Sequence, residues 1–117
     1  MPSDRVRLAL FDIRDNALLA QNFVAGMSLE DFKKDRKTFY AVTRALEIIS
    51  EAARRVPATL KDRHPELPWR AIIGVGNIYR HEYDNVEEDY VWRTVQESLS
   101  QLLAVVTQEI AQLNEAP

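Results

Sequence analysis

The side chains able to do chemistry concentrate between Arg70 and Asp84. Arg70, Gly74, Asn77, His81 and Asp84 follow one another at steps of four, three, four and three. On a helix that spacing lines them along one strip, while Ala71, Ile72, Val75, Ile78, Tyr79 and Tyr83 cover another arc. His81 is the natural proton carrier, because imidazole titrates at about 6.5 and can serve as acid or base near neutrality. Asn77, four residues earlier, can hydrogen-bond the ring or a ligand. Arg80 adds a fixed positive charge suited to a phosphate oxygen. Gly74 and Gly76 each cost a helix about 1 kcal/mol relative to alanine. Such a cost points to close approach by a ligand, a side chain or another backbone, or to tight helix packing beside a solvated strip. His64 sits in a proline-bounded loop with no partner in register and reads as structural or idle. With two distant histidines and scattered carboxylates, no metal site is visible and no cofactor is expected.

Composition narrows the possible classes. The chain has no cysteine, which removes disulfides, thiolate metal sites and a cysteine nucleophile and suits a reducing cytosol. A net charge of −3 argues against a broad basic surface for duplex nucleic acid, though not against a local grip on one phosphate. Asp4, Arg5, Arg7, Asp12 and Arg14 interrupt the start of the chain, so no signal peptide is expected. No stretch approaches the roughly 20 apolar residues that span a bilayer. The expectation is a cytoplasmic protein without membrane contact, with residues 1–117 forming one domain.

Helices must position the strip. Three glycines leave little material for hairpins, and the apolar periods are helical. The first helix is capped by Ser3 or Asp4, buries Val6, Leu10, Ile13, Ala17, Ala20 and Val24, and ends at Gly26. Ser28 with Asp31 resembles the capped start of a short helical turn, although a capping box prefers Glu or Gln there. A long helix carries Phe39, Val42, Leu46, Ile49, Ala53 and Val56, bounded by Pro57, with Ala41, Ala45, Ile48 and Ala52 as a second row. One turn is expected around Leu60. Pro68 fits the first position of the next helix, which runs from Trp69 to about Tyr83 and is broken by Asp84-Asn85. Val91, Val95, Leu99, Leu102, Val106, Ile110 and Leu113 stripe the last helix. Four main helices with short connections predict an all-α, up-and-down antiparallel bundle with additional short helical turns.

The run P-W-R-A-I-I-G-V-G-N-I-Y-R-H-E-Y-D, from Pro68 to Asp84, resembles the HepT-like branch of the HEPN proteins. The L-E-I-I-S-E-A-A-R-R-V-P run ending at Pro57 and the V-W-R-T-V-Q opening of the last helix resemble it too, so the likeness covers nearly the whole chain. The family signature is an arginine, four to six residues, then His-x-Tyr. His81, Glu82 and Tyr83 match the second half. The three places allowed for the arginine hold Gly76, Val75 and Gly74, and the alignment through Asn77 puts Gly76 where arginine belongs.

The resemblance implies a toxin acting as a metal-independent endoribonuclease. In it the RNA 2′-OH attacks the adjacent phosphate, histidine shuttles a proton, and arginine stabilises phosphoryl charge. It implies a homodimer with the site near the two-fold axis, and a partner, the minimal nucleotidyltransferase antitoxin, that adenylylates the motif tyrosine. Carried onto this chain, those roles fall to His81, Arg80 and Asn77 for catalysis and to Tyr83 for modification, with Arg70, Gly74 and Gly76 in support. Arg80, about 100° from His81 around the helix, is the candidate replacement for the missing arginine. Arg70, about 16 Å along the axis, reaches a neighbouring phosphate or a site shared with a partner subunit. The alternatives are that both arginines hold surface carboxylates such as Glu66 and Asp84, and that Tyr83 is a packing residue. Gly76 favours a second function, a catalytically degenerate module that binds a nucleotidyltransferase or a nucleotide. A plain helical scaffold leaves the strip unexplained.

Overall fold

The structure, a computed structural model, describes residues 2–74 and 88–115. Its described elements are helices without exception: α1 (Pro2–Phe23), α2 (Leu29–Lys34), α3 (Arg36–Arg54), α4 (Ala58–Arg63), α5 (residues 69–74), α6 (Glu88–Arg93), a π-helical turn (Thr94–Ser98) and α7 (Leu99–Glu115). The expected all-α bundle is what the chain forms. None of these helices is long and apolar enough to cross a membrane.

Helix α1 begins at Pro2, ahead of the cap expected at Ser3 or Asp4. Proline suits a first turn, where its missing N–H would have had no partner. Beyond Phe23 the chain turns at Gly26, whose φ of 79° is a conformation that side chains resist. Ser28 and Asp31 then form a full capping box, each side chain accepting from the other's backbone N–H at 3.1 Å. Aspartate therefore serves where glutamate or glutamine is commoner. It starts α2, which delivers Phe32 into a fully buried position against Phe39 of α3 and Trp92 of α6. Asp35 caps α3 by accepting from the Thr38 N–H at 3.0 Å and the Thr38 hydroxyl at 2.7 Å. Those bonds stabilise its charged form and hold its carboxyl below the ordinary range.

The helix directions follow from side-chain pairs. Arg7 bonds Asn114 and Gln21 bonds Ser100, so α1 and α7 run antiparallel. Arg36 at the start of α3 meets Glu88 at the start of α6, at 3.2 Å, while Leu46 and Ile49 lie opposite Leu99 and Leu102. Helix α3 therefore runs parallel to α6 and α7, and antiparallel to α1, which it meets again through Arg55 and Asp12 at 3.0 Å. The core is the expected set of stripes: Leu10, Ile13, Ala17 and Ala20 from α1; Phe39, Val42, Leu46, Ile49 and Ala53 from α3; Leu99, Leu102, Val106 and Ile110 from α7.

The π-helical turn departs from the sequence reading. The Thr94 hydroxyl donates to the Tyr90 carbonyl at 2.9 Å, competing with the backbone donor of that turn. The Leu99 N–H then reaches back to the Thr94 carbonyl, one residue further than an α-helix does. A wider turn holds Val91, Val95 and Leu99 on one buried face even though both steps are four residues.

Candidate active site

Helix α5 is the described part of the segment that carries the chemistry. Pro68 is its cap rather than its first residue, accepting from the Ile72 N–H at 3.0 Å. Trp69, Ile72 and Ile73 are half-buried and pack on the core. Ala71, expected on the apolar arc, is exposed, so the buried face is turned toward Ile73. Arg70 is exposed and Gly74 half-buried, side by side at one turn's spacing as the strip requires. A Cβ built on Gly74 would meet no atom within 4 Å, so nothing among the described residues requires a glycine there. Asn77, Arg80, His81 and Tyr83, together with Gly76, lie outside the described residues, and the strip beyond Gly74 remains a reading of the sequence.

A cleft of about 140 Å³ borders α5. Leu46 and Ile49 of α3, Ala71 and Ile72 of α5, and Leu99 and Leu102 of α7 give it apolar walls, while Tyr90, Thr94, Glu97 and Gln101 supply polar groups. The π-helical turn thus forms one wall, a placement such turns favour in other proteins.

His64 is structural, one of the two roles its sequence context allows, and it has a partner that its own segment does not reveal. It is buried, and its Nε2 lies 2.6 Å from Oε2 of Glu109 on α7. The other Glu109 oxygen accepts from the Arg63 guanidinium at 2.7 Å, and Glu66 stands 3.6 Å from His64 Nδ1. Burial works against the Glu109 charge, but the hydrogen bonds from Arg63 and His64 outweigh it and hold the carboxyl below its ordinary value. An ionised carboxylate only accepts, so His64 Nε2 carries the proton of the short bond. The ring is therefore committed to Glu109 and largely buried. One signal for this was legible: Glu109 is an acid beside Val106 and Ile110 in an apolar stripe, and a buried acid needs a partner.

Comparison with known proteins decides the family. The model of the family described as "Ribonuclease HepT-like" matches residues 13–109. The chain belongs to the HepT-like ribonuclease family. Its HepT-like relatives include "Probable ribonuclease HepT" of Thermococcus cleftensis, 40% identical over 93 residues that cover 80% of this chain and 84% of that one. A protein of Methanocaldococcus jannaschii, named provisionally as an RNase, is 33% identical over 95 residues, covering 81% and 78%. A third, of Caldanaerobacter subterraneus and similarly named, is 37% identical over 79 residues, covering 68% and 70%. No solved structure matches the HepT-like chain significantly.

Proposed function

We propose that this single-module HepT-like chain is the toxin of a toxin–antitoxin pair and a metal-independent endoribonuclease of the cytoplasm. Membership of a ribonuclease family, together with Asn77, His81 and Tyr83 at the family's spacing, carries the reading. In the proposed step His81 takes the proton of an RNA 2′-OH, whose oxygen attacks the adjacent phosphorus. The bond from phosphorus to the 5′-oxygen breaks, and that oxygen is reprotonated. Arg80 supplies the positive charge that Gly76 cannot, and Asn77 orients the imidazole or the phosphate. Arg70 and Gly74 lie along the same strip, where a second subunit of a homodimer completes the cleft. A cognate nucleotidyltransferase silences the toxin by transferring AMP from ATP to the Tyr83 hydroxyl, with loss of its proton and release of pyrophosphate, which sets a bulky phosphodiester beside Arg80.

Incubation of the purified protein with RNA in EDTA tests the reading. Cleavage should persist and should fall about 100-fold or more in His81→Ala, the usual contribution of a positioned acid–base group. Arg80→Ala should lose at least as much, since arginines on phosphoryl charge contribute roughly 10³–10⁵ in other phosphoryl-transfer enzymes. Cleavage unaffected in His81→Ala would overturn the mechanism. The vacant arginine position favours a second reading, a degenerate module that binds the nucleotidyltransferase or a nucleotide. Wild-type inactivity with Tyr83 still accepting AMP would select it.

A further inference from the structure

Among the described residues three polar side chains are buried: Ser50, His64 and Glu109. All three bear on α5. The Ser50 hydroxyl, on α3, donates to the Ile73 carbonyl near the end of the described part of α5. The His64 carbonyl accepts the Trp69 indole N–H at 3.0 Å and the Leu67 N–H at 3.2 Å. Its ring is fixed to α7 through Glu109, so one residue ties the last helix of the bundle to the first turn of α5.

We infer that Glu109, His64 and Ser50 are positioning residues that hold α5 in one register against α3 and α7. The inference rests on the ribonuclease reading for its catalytic consequence, though not for its geometry. Stability alone is a weak reason for such a network. Burying a carboxylate costs several kcal/mol before its partners return it, and well-packed apolar residues of similar volume often do as well. What an apolar pair cannot supply is direction. The Glu109 carboxylate accepts from two fixed donors at 2.6 and 2.7 Å, and contacts of that geometry tolerate little sliding. Arg70 and Gly74 sit on the turn so held, and a displacement of about 1 Å in a catalytic group can cost on the order of 100-fold in rate.

The test replaces the network by apolar residues, as the double variant His64→Leu/Glu109→Leu, in a Trp92→Phe background that leaves Trp69 as the only tryptophan. The double variant should keep its urea midpoint, while the Trp69 emission and near-ultraviolet dichroism change because the residue-64 carbonyl that accepts from the indole is no longer held in place by a ring bonded to α7. RNA cleavage should show kcat lower by roughly tenfold or more, with KM changed by less than about threefold. A folded variant with the Trp69 spectra of its parent would overturn the inference, as would an unaltered kcat. If the double variant does not fold, Glu109→Gln decides, with smaller changes of the same kind supporting the inference and unchanged spectra refuting it. Absence of nuclease activity in the wild type would count against the ribonuclease reading, and the Trp69 spectra would still decide the positioning.

Discussion

The assembly of α1, α3 and α7 and the docking of α5 are held in different ways. The three long helices meet through continuous apolar stripes, with Leu10, Ile13, Val42, Ala53 and Val106 all inaccessible or nearly so. Apolar burial is non-directional and roughly proportional to area, so these stripes contribute stability more than they fix a direction. Helix α5 buries only part of Trp69, Ile72 and Ile73, and it is tied by its Ile73 carbonyl to the Ser50 hydroxyl and by the Trp69 indole to the carbonyl of His64, whose ring Glu109 holds. Hydrogen bonds lose strength steeply with distance and angle, so they specify a position more than they stabilise a fold. The bundle holds the molecule together, and the polar contacts aim the helix that leads into the family motif.

The two modes of attachment should respond differently to substitution. The largest effect is expected from the apolar side. Phe32→Ala empties a site between Phe39 and Trp92 and should cost about 3–5 kcal/mol in a urea titration. A cost below about 1 kcal/mol would mean that α2 does not brace α3 and α6 as described.

A smaller effect, confined to acid, is expected from the polar side. Glu109 has a folded-state pKa below its ordinary value of 4.5, so the unfolded chain binds its proton more readily. The resulting stability is present above pH 4.5 and is lost as pH falls through the lower folded value. Glu109→Gln should therefore lower stability at neutral pH and flatten the acid limb of the wild-type profile. Parallel acid limbs in the two proteins would show that the carboxylate is not held in its charged form.

The contrast also explains what could be read in advance. The stripes of α1, α3 and α7 are properties of one helix at a time, so the period in the sequence contains them. The chain turn at Gly26 and the start of α2 at Ser28 are equally local. The contact between His64 and Glu109 joins residues 45 apart and depends on how the segment after α4 folds back over α7. No period in either segment encodes it, and His64 alone therefore reads as structural or idle, without a partner. The orientation of α5 is not encoded in its own period for the same reason. Ser50 and Trp69 turn it so that Ile73 rather than Ala71 faces the core, and both act through partners distant in sequence. The π-helical turn left no distinctive mark, since Leu102, Val106 and Ile110 repeat the spacing of Val91, Val95 and Leu99 without one. Asn77, His81 and Tyr83 are named from the motif, which is local, while its arginine half is missing at Gly76 and Arg80 stands only as the candidate replacement.

Amide hydrogen exchange of the wild type and of His64→Leu/Glu109→Leu compares the two regions within one molecule. If polar contacts aim α5 while apolar stripes hold the bundle, amides of residues 69–74 should lose roughly tenfold or more of their protection in the variant, and those of α1 and α7 should keep theirs. Unchanged protection over residues 69–74, or an equal loss through α1 and α7, would contradict that division.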